Sequence, residues 1–484
     1  MCGIFGFIGN RSAAPLLIEG LRRLESRGYD SSGIVVKNGS LQVHKKVGNV
    51  SELSKILPNH VEGCSGIAHT RWATHGGVTD ANAHPHTSND GKIALVHNGI
   101  INNAKGLRRR LEDRGFELKS ETDSEALVHM ISIGIDSGQT PLESVRETLR
   151  RVTGTWGLCV IFKEYDVIVC ARNGSPLILG KGKSESFVSS EPHTLTQYTR
   201  DHYILEDGDL ATLTKDGIDI SRLEGGISST SMTVFEDDWG EPDMAGYPHY
   251  MLKEIHEQPD AIRRCISGRL DPANGSATLG GLKLEPIRLR TASHVRLIGC
   301  GTAYNACKIG QLAIESLARI PAMAHIASEF RYNDPVINTS AIHFAVSQSG
   351  ETADTLSAVK EIQLKGGDVH GVINVVGSTI ARLCGKGVYI HSGPEQAVAS
   401  TKAFTNMVAS LLMFSLRIGR TRSFSRERGR SIIDDFERIP KQIESYLANP
   451  GPIQEAVDLV KGAKSVLFLG RGSLCSRRKR RRLE

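Results

Sequence analysis

The stretch "MCGIFGFIGN", residues 1–10, places Cys2 directly behind the initiator methionine and ahead of Gly3. Removal of Met1 leaves a cysteine that carries a free α-amine. A thiol attacks an amide well only when a base takes its proton. An α-amine, with a pKa of roughly 8, titrates close enough to neutrality to be the base for its own side chain. One residue then supplies both nucleophile and base. The competing reading is an ordinary buried cysteine, and three segments further along the chain decide between the two.

"HTRWATHGG" (69–77) places Arg71, Trp72, Thr74 and His75 in a polar loop after a strand. An arginine there can fork onto a substrate carboxylate, against the plainer roles of a surface ion pair for Arg71 and a structural one for Trp72. "HNGIINN" (97–103) follows the apolar "IALV", so the Asn98 side-chain amide and the Gly99 backbone N–H can face one point, as an oxyanion hole requires. Its plain alternative is an Asn-Gly turn. "SETDSEA" (120–126) puts Asp123 at the start of a helix, where it either caps the helix or meets a substrate ammonium group. Nucleophile, oxyanion hole, carboxylate clamp and ammonium clamp together match the side chain and head group of glutamine.

These segments, with "RGYDSSG" (27–33) and "NAHPH" (82–86), resemble the class II glutamine amidotransferases, which are N-terminal nucleophile hydrolases, and the match runs in order through residues 2–225. The resemblance implies an αββα sandwich in which Cys2 attacks the γ-amide to give a thioester and ammonia. It gives Asn98 and Gly99 to the oxyanion hole, and Arg71, Thr74, His75 and Asp123 to glutamine binding. Trp72 would gate ammonia transfer.

With 484 residues the chain suggests two or three domains, each able to bury its own core. Apolar runs are far too short to span a membrane, and the N-terminus lacks the basic segment and long apolar core of a secretory leader, so a cytoplasmic protein is expected. Nine cysteines without a CxxC pair fit reduced thiols, not a disulfide framework or a zinc site. Net charge is +6, but residues 477–484 hold six cations against Glu484, so the rest is nearly neutral and a nucleic-acid partner is not expected.

Residues 1–225 mix short strands ("GIVVK", "GIAHT", "IALVH", "GLCVIF", "VIVCA") with helices, and 226–285 has the Gly, Ser, Pro and acid content of a linker followed by a connecting helix. From 286 to 455 the pattern is regular. "VRLIG", "AMAHI", "IHFAVS", "HGVINVV" and "GVYI" are strands mostly separated by helices, which predicts a parallel sheet covered on both faces and closed by one long helical stretch over about 400–447.

"GCGTAY" (299–304) follows a strand and opens a helix, an arrangement that holds an anion. As a dinucleotide fingerprint it fails, lacking the third glycine and a following acid. "AVSQSGETADT" (345–355) repeats the geometry with Ser347, Gln348, Ser349 and Thr352, and "AVASTKAF" (397–404) adds Ser400 and Thr401. The plain alternative for each is a hydroxyl helix cap. Three such loops on one parallel sheet favour a phosphate at the strand ends.

"SQSGETADT", "ASEFRY" (327–332), "ASTKAF" and the connecting "YPHYMLKEIHEQP" (247–259) resemble the glutamine:fructose-6-phosphate aminotransferase family and its three-layer αβα sugar isomerase domain. The resemblance implies that glutamine and fructose 6-phosphate become glutamate and glucosamine 6-phosphate without metal or redox cofactor, on a homodimer. It assigns Thr302, Ser347, Gln348, Ser349, Thr352, Val398, Ala399 and Ser400 to the sugar phosphate. Ala303 departs from the serine often found beside that threonine. Amidotransferases that make asparagine or a purine precursor need an ATP-pyrophosphate or phosphoribosyl-pyrophosphate loop, which this sequence lacks. A non-catalytic sugar-phosphate binder would release no glutamate.

"VLFLGRGSLC" (466–475) repeats the strand-glycine-hydroxyl pattern of "VRLIGCGTAY" (295–304), so a second sugar isomerase domain is expected to begin at about 456 and to break off within 456–484. In the family that second domain carries the acid and base groups for sugar isomerisation. The expectation is therefore a truncation with an out-of-frame basic tail, and an uncoupled glutaminase is the alternative function.

Overall fold

The computed structural model describes residues 2–58, 60–73, 76–234, 244–468 and 480–482. The chain divides into two compact units, Met1–Pro242 and Asp243–Glu484.

Strands of the first unit are β1 (Gly3–Ile8), β2 (Ser31–Asn38), β3 (Ser40–Val47), β4 (Ser65–Arg71), β5 (His86–Thr87), β6 (Ile93–Ile101), β7 (Gly154–Phe162), β8 (Ile168–Asn173), β9 (Ile178–Gly182), β10 (Glu185–Ser189), β11 (Asp201–Ile204), β12 (Asp209–Leu213), β13 (Ile218–Arg222) and β14 (Thr233–Val234). Its helices are α1 (Ala13–Leu24), α2 (Val50–Ile56), α3 (Ala104–Glu112), α4 (Ser124–Asp136) and α5 (Pro141–Arg150). They form two antiparallel sheets, β14-β11-β9-β10-β1-β4-β2-β3 and β13-β12-β8-β7-β6-β5. Thr233–Val234, inside the stretch with linker composition, pairs with β11 at the edge of the first sheet.

Alternation along the strands builds three apolar layers. In β1, Phe5 and Phe7 face Leu17, Leu21 and Leu24 of α1, whereas Ile4 and Ile8 pack between the sheets with Val96, Cys159 and Ile161. The far side of β6 and β7 sends Leu95, Leu158 and Val160 against Leu127, Ile131 and Val145 of α4 and α5. The result is the expected αββα order. Local signals fix the helices: Thr140 and Glu143 close a capping box on α5 with Pro141 in its first turn.

The second unit contains α6 (Tyr250–His256), α7 (Gln258–Ile266), β15 (Leu270–Asp271), β16 (Ser276–Ala277), α8 (Pro286–Thr291), β17 (Val295–Gly299), α9 (Gly301–Ala318), β18 (Ala322–Ile326), α10 (Ala327–Tyr332), β19 (Ile342–Ser347), α11 (Ala353–Leu364), β20 (Val369–Ile373), α12 (Thr379–Cys384), β21 (Gly387–Tyr389), α13 (Lys402–Arg420), α14 (Arg426–Ala448), α15 (Gly451–Val460) and β22 (Ser465–Leu467). Strands β18-β17-β19-β20-β21 form one all-parallel sheet. Val295, Leu297, Phe344 and Val346 face α9 and α13, while Ile298 and Ala345 face α10 and α11. Burial on both sides explains why the central strands β19 and β20 are largely apolar.

The single long helix expected over 400–447 is two helices, α13 and α14. Phe424 turns into the core between them and the Ser425 side chain accepts from the Arg428 N–H, which starts the second helix afresh. Residues 469–475, on which the expected second copy chiefly rests, lie outside the described residues apart from the short β22 before them. Phe344 is fully buried and meets Phe414 edge-on at 4.7 Å. Phe344→Ala is expected to destabilise the second unit by ~3–5 kcal/mol, read as a shift of its urea unfolding midpoint.

Candidate active site

The layer between the two sheets of the first unit is apolar along most of its length and polar at one end. Ile4 on β1, Ile67 on β4 and Ala94 and Val96 on β6 lie in that layer. His69 and Asn98 follow Ile67 and Val96 by two residues, and Cys2 precedes Ile4 by two, just ahead of β1, so the same faces carry all three. Strand periodicity therefore gathers a thiol, an imidazole and an amide at the mouth of the sandwich.

Cys2 is half-buried, and its Sγ accepts from the Trp72 N–H at 3.3 Å. Burial pushes the thiol above its ordinary pKa, opposed in part by the Trp72 N–H and the Arg71 guanidinium. The resting thiol is thus protonated and needs a base nearby. Asn98 Nδ2 donates to the Cys2 carbonyl at 3.1 Å. Asn98 and Gly99 lie within β6, opposite Gly157 and Trp156 of β7, so this dipeptide is not a turn. Gly99 has φ +142°, and a Cβ there would come within 2.1 Å of the Thr155 carbonyl oxygen, which excludes other residues.

Arg71 ends β4, buried, with Nη1 on the Gly77 carbonyl at 3.1 Å. Cys2, Asp30, Asp123 and Glu121 all lie within its electrostatic reach, so a cation and carboxylates flank the thiol. Asp123 makes no cap to α4. Its carboxylate accepts from the Ile101 N–H at 2.8 Å and from Ser124 Oγ at 3.1 Å. Trp72 is partly exposed, edge-on to Tyr29 with centroids 5.2 Å apart. Thr74 and His75 lie outside the described residues.

Sequence reasoning missed what holds the 71–77 loop. Asp30 Oδ2 accepts from the Ala73 N–H at 2.7 Å, and Gly28 lies so close that a Cβ would meet the Arg71 carbonyl carbon at 2.5 Å. Glu121 accepts from the Gly77 N–H at 3.0 Å and from Asn82 at 3.1 Å. Asp30 and Gly28 stand in the quoted "RGYD", and that motif was the available signal.

Four buried histidines, His69, His84, His86 and His97, back the site. Burial pushes His69 down to about 3 and holds His84 and His86 well below the usual range. An unfolded chain titrates them near ~6.5, so below that pH the unfolded state takes up protons that the fold refuses, and stability falls as pH falls. His69 alone accounts for ~2 kcal/mol lost by about pH 5. Thermal melts should show the first unit's transition dropping steeply between about pH 6.5 and 5; a flat profile would contradict neutral burial.

In the second unit the strand order reverses between β18 and β19 on either side of β17, which makes the carboxyl ends of β17 and β19 the switch point of an open parallel sheet. Thr302 lies in the first turn of α9, after Gly301 at φ +56°. Ser347 Oγ, at the end of β19, accepts from the Gly350 N–H at 3.0 Å and lies 3.2 Å from Thr352 Oγ1. The loop turns at Gly350, φ +66°, where a Cβ would strike Ser378 Oγ at 2.0 Å. Ser349 Oγ accepts from the Glu351 N–H at 3.1 Å, and Asn374 N–H donates to the Gln348 carbonyl at 3.2 Å. Neither Thr352 nor Thr401 caps its helix with its side chain.

The 396–401 loop is held from α6. Glu254, buried, accepts from the N–H groups of Gln396 and Ala397, the latter at 3.0 Å. Burial raises its pKa, partly offset by those two N–H groups. Glu395 accepts from the Thr401 N–H at 2.8 Å. Val398 is exposed, and Ser400 Oγ is buried with no hydrogen-bond partner among the described residues. Glu254 was not singled out from the sequence, although it stands in the quoted "YMLKEIHEQP".

Residues 69–197 match the family described as glutamine amidotransferase domain, and residues 288–417 match the SIS domain. Three relatives, each named "Glutamine--fructose-6-phosphate aminotransferase [isomerizing]", match nearly the whole chain. The protein of Chlorobaculum tepidum is 43% identical over 98% of this chain and 78% of its own length. That of Thermus thermophilus is 42% identical over 97% of this chain and 78% of its own. That of Methanosarcina mazei is 38% identical over 97% of this chain and 78% of its own. With the two matched domains in this order and this identity along both, the chain belongs to the glutamine–fructose-6-phosphate aminotransferase (isomerizing) family.

Proposed function

We propose that the chain moves the amide nitrogen of L-glutamine to D-fructose 6-phosphate, giving L-glutamate and D-glucosamine 6-phosphate. The observation that carries this reading is the thiol of Cys2 on the Trp72 N–H, with the Asn98 amide turned toward the same residue. Once Met1 is removed, the α-amine of Cys2 takes the thiol proton as sulfur attacks the γ-carbonyl carbon. The oxyanion that forms is met by Asn98 Nδ2 and the Gly99 N–H. Collapse breaks the C–N bond, the proton passes to the leaving nitrogen, and ammonia departs from a thioester that water hydrolyses to glutamate. Arg71 pairs the substrate carboxylate and Asp123 its ammonium, with Thr74 and His75 completing the pocket and Trp72 gating the ammonia.

We assign glutamine chemistry to residues 2–225, the connecting segment to 226–285, sugar-phosphate binding to 286–455 and the start of a second sugar isomerase domain to 456 onward. The sugar phosphate is given to Thr302, Ser347, Gln348, Ser349, Thr352, Val398, Ala399 and Ser400. The same reading extends to a homodimer in the cytoplasm, as the family resemblance implies.

Incubation with amide-15N glutamine and fructose 6-phosphate is expected to give 15N-labelled glucosamine 6-phosphate. Glutamate with no labelled sugar would leave only a glutaminase. Ser347→Ala is expected to weaken fructose 6-phosphate binding about ten- to a hundredfold while glutamine hydrolysis stays unchanged, measured by titration of each substrate.

A further inference from the structure

The thiol and the amide of the first unit stand on different sheets, Cys2 ahead of β1 and Asn98 on β6. Only a few polar contacts fix the one against the other. Asn98 Nδ2 reaches the Cys2 carbonyl at 3.1 Å, and His69 Nε2, from β4 beside β1, reaches Asn98 Oδ1 at 3.0 Å.

The hydrogen positions follow from the partners. The Cys2 carbonyl can only accept, so the Asn98 atom facing it is the NH2 group. The Asn98 oxygen therefore faces His69, and an oxygen acceptor there requires that Nε2 carry the ring's proton. His69 Nδ1 has no partner among the described residues, consistent with a neutral ring whose single N–H is spent on Asn98. The ring itself cannot swing away, because it is fully buried and stacked on His84 with centroids 4.2 Å apart and planes 16° apart. His84 is fixed in turn, its Nδ1 accepting the backbone N–H of His97 at 3.1 Å.

We infer that His69 is a positioning residue for glutamine hydrolysis: its Nε2–H pins the Asn98 oxygen and so keeps the Asn98 NH2 turned toward the oxyanion that forms beside Cys2. Without that donor, rotation of the amide by half a turn presents an oxygen to the developing negative charge, and the hole opposes the transition state it is built to favour. The inference rests on the glutaminase reading of Cys2 and Asn98. It concerns orientation alone, so substrate binding is expected to be spared.

His69→Phe keeps an aromatic ring against His84 and removes the donor; His69→Gln keeps a donor. His69→Phe is expected to lower kcat for glutamate release about tenfold to a hundredfold, with KM for glutamine within about twofold, and His69→Gln to recover most of it. In an Asn98→Ala background, His69→Phe should cost nothing further, since no amide is left to orient. The inference is overturned if His69→Phe leaves kcat within about twofold while Asn98→Ala is crippled. It is equally overturned if the Asn98 and His69 losses multiply, or if the Gln variant is as impaired as the Phe variant. Should His69→Phe fail to fold, shown by loss of its thermal transition, His69→Leu replaces it in the same comparison. Unchanged glutamate release from Cys2→Ala would instead sink the glutaminase reading and leave the geometry of His69 without a reaction to serve.

Discussion

Cys2→Ala is expected to lower glutamate release from glutamine by at least about a thousandfold, and production of glucosamine 6-phosphate with it. The size follows from what the substitution removes. Without the thiol no covalent thioester forms, and the α-amine that remains is left with only water, a far weaker nucleophile than a thiolate, to activate. The chain should still fold, because Cys2 is half-buried and precedes β1, whose core contacts come from Ile4, Phe5 and Phe7. Glutamine should still bind, because Arg71 and Asp123 are held by the Gly77 carbonyl and the Ile101 N–H, not by the thiol. Stopped assays of glutamate, with binding followed separately by calorimetry, check both halves.

Asn98→Ala is expected to reduce kcat about a hundred- to a thousandfold with little change in KM. The amide donor matters most when the carbonyl oxygen becomes an anion, which is why the loss should fall on the chemical step. Asn98 is itself buried, beside the buried and neutral His69 and His84, so a missing donor is not replaced by solvent. Equal losses in kcat and in affinity would point to a substrate-binding role for Asn98.

The two folds were legible wherever β-branched and apolar residues run together. "GIVVK", "IALVH", "GLCVIF" and three segments of the parallel sheet fall within observed strands, while "HGVINVV" and "GVYI" run past the ends of β20 at Ile373 and β21 at Tyr389. Strands β9 and β10, "ILGKG" and "ESFVS", gave no such signal, since Gly, Lys and Glu have poor strand preference and are held in place by pairing with β1 and β11. The dipeptide Asn98-Gly99 illustrates a local signal overruled by its surroundings. Asn-Gly favours a turn, but β7 runs alongside for the length of β6 and the glycine is used for its close approach to Thr155.

The sequence suggested candidate residues where a side chain could touch substrate and hid those that touch other parts of the protein. Arg71 and Asp123 were identifiable from charge and position. His69, Asp30 and Glu254 act on protein groups, and their partners lie 29, 43 and 142 residues away in the chain. Parity along the strand was the one available clue to His69, a polar residue where Ile67 sets an inward face.

The central claim is that Cys2, freed of Met1, carries the glutamyl group. Acid quenching of the enzyme during turnover of glutamine, followed by mass measurement of the peptide that ends at Arg11, tests it most directly. The account predicts a peptide that begins at Cys2, lacks Met1 and carries one glutamyl group in thioester linkage. An active enzyme that retains Met1, or a glutamyl group on any other residue, would contradict it.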